Sequence, residues 1–555
     1  RPSPPGGAGG GGGGGRGGKT RGGTPPPRHI RDLSRRGLLR GAGGLAALAA
    51  LAPAARPGLA QPVFRSFPFT LGVASGDPAP DGFVIWTRLA PEPLAPDGGV
   101  VRVALEVGWE VAEDQRFARV VASGTAIARP ELAHAVHVEV AGLPPGRPWF
   151  YRFRAGSEVS ATGRARTAPA PGAATDRLRF AFAGCQHYEH GHFTAWRHIA
   201  EEADLDFVFH YGDFIYEYRG RVPGQPGWGP LVRPHLGEET VSIADYRQRY
   251  AQYRLDPDLQ AAQAAHPFLV SYDDHEVDNN WAGIHSEEDG SRRFPIAVPP
   301  EIFALRKAAA FQAWYENMPV RRAALPRGPD ITAYRRMDFG ALARVHVLDT
   351  RQFRDDQPCG DGVKAACAEV ARPEAQMLGA AQEAWLLDGL ADSPARWNIL
   401  AQQVPMMRRL LSGGIAMDKW DAYPAARQRL LDGIVARRAA NPVVLSGDVH
   451  VALAATIRAR PEDGASAPVA TEFTATSVTS AGDGSAMTAA GEEVLRRNPD
   501  IALFDGRRGY CVAEATAARM TTEFVALPFV TREGAPREVA ARLVVEAGRA
   551  VPERG

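Results

Sequence analysis

The sequence has no apolar run that approaches the roughly 20 residues needed to cross a bilayer, so the body of the chain does not read as membrane-embedded. It also lacks a charge excess: 64 Lys+Arg stand against 63 Asp+Glu, a formal +1. Residues 1–60 hold ten Lys/Arg and one Asp, so without them the remainder carries −8, which excludes a generic polyanion binder and a stable nucleic-acid partner. Cysteine is scarce, at four residues, and there is no internal repeat. What is left, 45% hydrophobic and 23% charged, is the composition of an ordinary soluble protein with about two or three folding units.

The first sixty residues differ from the rest. Pro4 to Gly23 is dominated by glycine and proline, which bury too little apolar area to order a chain. Then come Ser34-Arg35-Arg36-Gly37-Leu38-Leu39-Arg40, the short apolar run Leu45 to Leu51, and the small-residue site Gly58-Leu59-Ala60. That order is expected of a cleavable twin-arginine export signal, which implies the twin-arginine machinery as a partner and a periplasmic or extracellular destination. In such a compartment Cys359 and Cys367, in a loop that Pro358, Gly360 and Gly362 can bend, are expected to form a disulfide. Cys511, in the strand-like run Gly509 to Ala513, reads as core.

Along residues 61–167 the pattern is short strands between Pro/Gly turns. Val101, Val103, Leu105, Val107, Trp109 and Val111 alternate, and His137–Val140 and Trp149–Phe153 follow, as in a small β-sandwich. Residues 168–175 read as a linker. From 176 to 545 strands alternate with helices, with strands at Leu178–Ala183, Asp206–Tyr211, Phe268–Tyr272, Arg344–Leu348, Trp397–Leu400 and Val443–Leu445, which implies a layered α/β domain with helices covering the sheet.

Polar residues collect after those strands, in Gly184-Cys185-Gln186, Gly212-Asp213-Phe214-Ile215-Tyr216, Asp273-Asp274-His275-Glu276 and Gly447-Asp448-Val449-His450. Ligands in open α/β sheets bind beyond the carboxyl ends of strands, so these turns can converge, with enough Cys, Asp, Tyr and His for two metal ions. A glycine before Asp213 and before Asp448 suits a sharp exit from a strand. Arg351, after Leu348-Asp349-Thr350, is a candidate phosphate clamp or a salt-bridged scaffold residue. His187, His190 and His192 either line the mouth or sit on a surface loop.

This ordered series resembles the calcineurin-like metallophosphoesterases, and its variants are similar to the PhoD, or alkaline phosphatase D, type: Cys185 where most relatives have Asp, Asp274 where many have Asn, Asp448 where many have His. Trp86-Thr87-Arg88, Leu348-Asp349-Thr350-Arg351-Gln352, Trp420-Asp421-Ala422-Tyr423-Pro424 and the twin-arginine leader add to it. The resemblance implies a four-layer α/β sandwich preceded by a small immunoglobulin- or fibronectin-like β-sandwich. It also implies a ferric ion held by Cys185, Asp213, Tyr216 and His450, with Asp213 bridging to one or two calcium ions completed by Asp274 and Asp448. The donors agree, since thiolate, phenolate, carboxylate and imidazole suit trivalent iron while three aspartates offer calcium hard oxygens. Two zinc or manganese ions are the alternative, and Tyr216 argues against zinc. The expected activity is hydrolysis of phosphate mono- or diesters by metal-activated water, for phosphate scavenging, with His275 donating towards the leaving oxygen or serving a structural role. The alternatives are a secreted phospholipase D-like or nuclease-type phosphodiesterase and a non-enzymatic cell-wall binding module.

Lys substitution of both Arg35 and Arg36 is expected to hold the protein in the cytoplasm, as checked by fractionation. Undiminished export of that variant would remove the twin-arginine assignment.

Overall fold

Strands apolar at almost every position need cover on both faces. Leu178–Ala183, Phe207–His210, Pro267–Val270, Trp397–Ala401 and Pro442–Ser446 are of that kind. The computed structural model, which describes residues 63–286 and 297–555, stacks them in two large sheets. The proposed leader within residues 1–60 lies outside the described residues.

The first sheet has ten strands and is parallel at its centre, where Leu178–Ala183, Phe207–His210 and Pro267–Val270 run side by side. The second has seven, with Ala343–Val347, Trp397–Ala401, Pro442–Ser446 and Pro468–Thr474 parallel to one another. Side chains alternate across each strand. Phe180, Phe182, Phe207, Phe209 and Leu269 point between the sheets, where they meet Val345, Ile399, Val443, Leu445 and Phe473. The intervening Ala181, Ala183, Val208, Phe268 and Val270 face the other way, onto Trp196 and Ile199 of the helix Thr194–Glu201, Leu259 of Pro257–Ala265 and Phe311 and Trp314 of Pro300–Asn317. On the far side Leu400, Val444 and Leu453 pack on Leu386 and Leu390 of Gly379–Ala391 and Leu430, Leu431 and Ile434 of Pro424–Ala436. The order helices, sheet, sheet, helices makes a four-layer α/β sandwich, with a domain of β-strands at its N-terminal side.

The β-sandwich expected over 61–167 shares one of its two sheets with the α/β domain. Leu105–Ala112, Val120–Ala128, Pro148–Ala155, Glu158–Val159 and Gly163–Arg166 form a separate five-stranded sheet. Val73–Ala79, Gly82–Arg88 and Ala135–Val140 instead continue the ten-stranded sheet, where Ser75 registers with Pro267 and Gly76 with Phe268 in parallel. The two sheets do face each other, around Phe83, Ile85, Val107, Val138, Trp149, Tyr151 and Phe153. Alternation shows that a strand has a buried face but does not say which sheet it joins. The strand expected from Val101 begins only at Leu105, where Ala128 pairs with it; Val101 and Val103 are exposed.

Opposite this edge, Arg508–Ala515, Arg519–Leu527, Glu538–Glu546 and Glu553–Arg554 complete the ten-stranded sheet, with Cys511 opposite Phe182 and buried as expected. The helix Ile243–Arg254, not apparent from periodicity, starts at a capping box in which Ser242 and Asp245 satisfy each other's backbone groups. Its Tyr246, Tyr250 and Tyr253 join the hydrophobic core.

Phe180 stacks on Phe207 with ring centroids 4.8 Å apart. Phe180→Ala is expected to remove about 3–5 kcal/mol of stability through the cavity it leaves, read as a lower denaturant midpoint.

Candidate functional site

The ends of the three parallel strands of the first sheet are tied together by side chains. Glu276 accepts the amides of Phe214 at 2.6 Å, Asp273 at 2.8 Å and Asp213 at 3.1 Å, so one buried carboxylate holds two turns in register. Burial raises its own pKa to about 7, against the lowering effect of those amides. Gln186 donates to the Phe214 carbonyl and accepts the indole N–H of Trp196, while the amides of Cys185 and Gln186 donate to the carbonyls of Gly212 and Asp213.

These ties impose uncommon backbone on the side chains of interest. Cys185, Asp213, Asp448 and His450 have φ of 51°, 54°, 65° and 55°, in the left-handed region that L-residues rarely occupy. Such conformations persist only where the surroundings over-determine them, and they cluster at functional sites. The two glycines noted in the sequence serve different ends. Gly212 adopts φ 138° beside the Asp273 backbone, whereas Gly447 leaves room for the ring of Tyr211.

All six candidate ligands come together. One ligand atom each from Cys185, Asp213 and His450 lies within 4.8 Å of the others, as for Asp213, Asp274 and His275, and for Asp273, Asp274 and Asp448. The Tyr216 hydroxyl donates to Asp213 Oδ2 at 2.8 Å and lies 3.5 Å from His450 Nε2 and 2.6 Å from Ser480 Oγ. A cavity of about 310 Å³ opens onto Asp213, Asp274, His275, Asp448 and His450.

The residues fit metal ions on two grounds. Asp213 Oδ1, Asp273 Oδ2 and Asp274 Oδ1 are buried without a hydrogen bond, which is costly for a carboxylate unless a cation takes its place. Burial, reinforced by the charges of Asp213, Asp448 and Asp273, also pushes the Cys185 thiol well up, and burial with Asp213 and Cys185 does the same to the Tyr216 phenol. A bound cation reverses both, because thiolate and phenolate are the ligand forms. Asp213 and Asp273 are held well above the usual carboxylate range by burial and by neighbouring acids, against the pull of His275 and Arg351. In Asp274 burial is outweighed by Arg351 and His275, and the group sits below that range.

His275 lines the cavity, and its Nδ1 lies 2.7 Å from Glu217 Oε2. Burial opposes its charge, but Glu217, Asp274 and Asp213 outweigh burial and hold the imidazole well above its ordinary pKa. Glu217 had no signal in the sequence beyond following Tyr216.

Arg351 is not placed as an open phosphate clamp. It is fully buried, with Nε 2.5 Å from Asp273, Nη1 at 2.9 and 3.0 Å from the Asp418 oxygens and Nη2 at 3.3 Å from Asp448. Its planar fork is spent on these three carboxylates and faces a fourth, Asp274, at 3.7 Å, so it has no pair of free donors with which to bind a phosphoryl group in two places. Asp418 also holds Lys419 at 2.6 Å and pairs with Arg354, and Lys419 reaches Asp448. Asp418 and Lys419 went unnoticed in the sequence, although they directly precede the Trp420-Asp421 motif. The histidines after Cys185 divide: His187 and His190 are buried and stacked at 3.7 Å, while His192 turns towards Glu533. The expected disulfide between Cys359 and Cys367 is present, and Gly362 and Val363 of its loop line the cavity.

Arg351→Met is expected to cost about 3–5 kcal/mol by leaving buried carboxylates without their cation, read as a lowered denaturant midpoint. Parent-like stability with only a raised KM would return Arg351 to substrate binding.

Comparison with known proteins agrees with this arrangement. The PhoD-like phosphatase model matches residues 180–524, and that of the PhoD-like phosphatase N-terminal domain matches 53–169. The chain is 44% identical over 522 residues to alkaline phosphatase D of Bacillus subtilis (strain 168), covering 92% of this chain and 87% of that one. A solved structure of PhoD superposes with a TM-score of 0.84 at 44% identity, covering 89% of this chain and 93% of that one. The four-layer fold, the strand-end site and these similarities together establish that the chain belongs to the PhoD-like phosphatase family and is a phosphoric ester hydrolase.

Proposed function

We propose that the protein is an exported, metal-dependent phosphomonoesterase and phosphodiesterase that releases phosphate from esters outside the cytoplasm. The observation that carries the metal dependence is the meeting of Cys185, Asp213, Tyr216, Asp274, Asp448 and His450 beside a cavity that Asp213, Asp274, Asp448 and His450 line, with carboxylate oxygens left without a hydrogen bond. We assign Cys185, Asp213, Tyr216 and His450 to a ferric ion, and Asp213, Asp274 and Asp448 to calcium, because the first set contains soft and anionic donors and the second only hard oxygens. When bound, such ions lower the pKa of water and offset charge on phosphoryl oxygens.

The chain's own residues supply the rest. Glu276 and the stitched turns fix the ligands before substrate arrives, so little reorganisation is needed at the moment of reaction. Glu217 occupies His275 Nδ1 and so fixes the ring, leaving Nε2 as the nitrogen that donates a proton to the leaving oxygen. The Tyr216 ring, 4.0 Å from that of His275, limits its movement.

The test is hydrolysis of p-nitrophenyl phosphate and its bis ester, with and without calcium, by the protein and by Asp213→Ala and Asp448→Ala. Each substitution is expected to lower turnover by more than about 100-fold, since loss of groups that merely support ligands already costs 10–100-fold. Near-parent turnover would remove that residue from the ligand set. Metal identity is read separately. A phenolate or thiolate on ferric iron absorbs visible light, so the protein is expected to be coloured, to lose the band on reduction and to change its spectrum in Tyr216→Phe. A colourless active enzyme holding only zinc or manganese would overturn the iron assignment and leave the hydrolase intact.

A further inference from the structure

With Arg351 committed to carboxylates, the cavity still has a cation without an ion-pair partner among the described residues. Besides His275 and His450, two basic residues line it among the described residues, Lys419 and Arg409. Lys419 is paired with Asp418 and Asp448. Among the described residues the Arg409 guanidinium makes no ion pair and no hydrogen bond, whereas its main chain and its neighbours are held by three buried side chains. Glu472 accepts the amides of Met406 at 3.0 Å and Met407 at 2.6 Å. Asp421 accepts the Arg409 amide at 2.9 Å, and Asn498 both accepts from and donates to Leu410, at 2.7 and 3.0 Å.

Asp421 explains why the guanidinium stays free. Its other oxygen is taken by Arg427 Nη1 at 2.7 Å, so the nearby acid that could quench Arg409 is already neutralised. Arg408, next in the chain, is drawn to Glu462 at 2.6 Å. The result is a fixed backbone segment that holds one uncommitted planar cation at the wall of a cavity opposite acidic residues. Burial lowers the Arg409 pKa, and Asp421, Asp448 and Glu472 oppose that.

We propose that Arg409 is the phosphate-binding cation of this cavity, contacting a phosphoryl oxygen of the substrate and thereby favouring the monoester dianion over the diester. A monoester has three terminal oxygens and two charges; a diester has two terminal oxygens and one charge. A guanidinium that meets the extra oxygen stabilises the first more than the second, and its fork can take two oxygens at once. The motif Trp420-Asp421-Ala422-Tyr423-Pro424 then serves to hold Arg409 in place through Asp421. This assignment rests on the phosphoesterase reading above and deepens it.

The experiment uses the metal-loaded protein with Arg409→Gln and Arg409→Lys. Calorimetry with inorganic phosphate gives affinity without turnover, and kcat/KM on p-nitrophenyl phosphate and its bis ester gives the preference. Arg409→Gln is expected to weaken phosphate about 10-fold or more and to lower monoester kcat/KM by about 10- to 100-fold, with the diester changed by less than about 3-fold and metal content unaltered. Arg409→Lys, which keeps the charge, is expected to fall between Gln and the parent. Unchanged phosphate affinity in Arg409→Gln, or equal losses on the two esters, would overturn the proposal. A parent protein that binds phosphate through Arg409 but hydrolyses neither ester would sink the phosphoesterase reading and leave the binding role standing.

Discussion

Arg351 is the residue on which the site depends. It is buried without exposure, and it joins Asp273 at the end of a first-sheet strand to Asp418 and Asp448, both carried by the second-sheet half of the molecule. Five aspartates, Asp213, Asp273, Asp274, Asp418 and Asp448, brought together away from water would otherwise repel, and the desolvation of each ion is large. One fixed guanidinium among them turns that repulsion into a set of directed hydrogen bonds. It leaves selected oxygens, Asp213 Oδ1, Asp273 Oδ2 and Asp274 Oδ1, unsatisfied. The site is thus partly neutralised by the protein and partly left to be neutralised by something bound.

Much of this could be read from the chain because strand ends are punctuated. Apolar runs followed by Gly-Cys-Gln, Gly-Asp, Asp-Asp-His-Glu and Gly-Asp-Val-His announce both a buried parallel sheet and the loops beyond it, and the six ligand candidates do converge. Sheet membership was not readable in the same way. Val73–Ala79 has the pattern of any strand, and only the long-range pairing with Pro267–Val270 puts it in the catalytic sheet. The helix Ile243–Arg254 escaped for another reason: its buried residues include Arg249, Gln252 and Arg254, so polarity does not report which face is inside.

The role of Arg351 was open in the sequence because an arginine at a strand end suits a substrate clamp and a scaffold equally well, and only the location of its partners decides. Those partners lie at 273, 418 and 448, too far apart in the chain for any local pattern to reveal. Glu276 is a related case. Its place in Asp-Asp-His-Glu suggests chemistry, but all it does is accept three amides. Arg409 was invisible for the converse reason, since what distinguishes it is a missing partner, and the pinning of its backbone by Glu472, Asp421 and Asn498 exists only in three dimensions.

The ten-stranded sheet has a consequence for how the chain is made. Its centre comes from the middle of the sequence, one flank from the start and the other from the end, so that Ser75 must wait for Pro267 and Phe182 for Cys511. During synthesis the early strands leave the ribosome long before their parallel neighbour exists, and the central strands expose an apolar edge until the last stretch is added. Assembly therefore finishes late and nearly at once. A chain cut short after the catalytic turns but before residue 508 would carry every ligand and still present an open edge, the kind of species that aggregates rather than works.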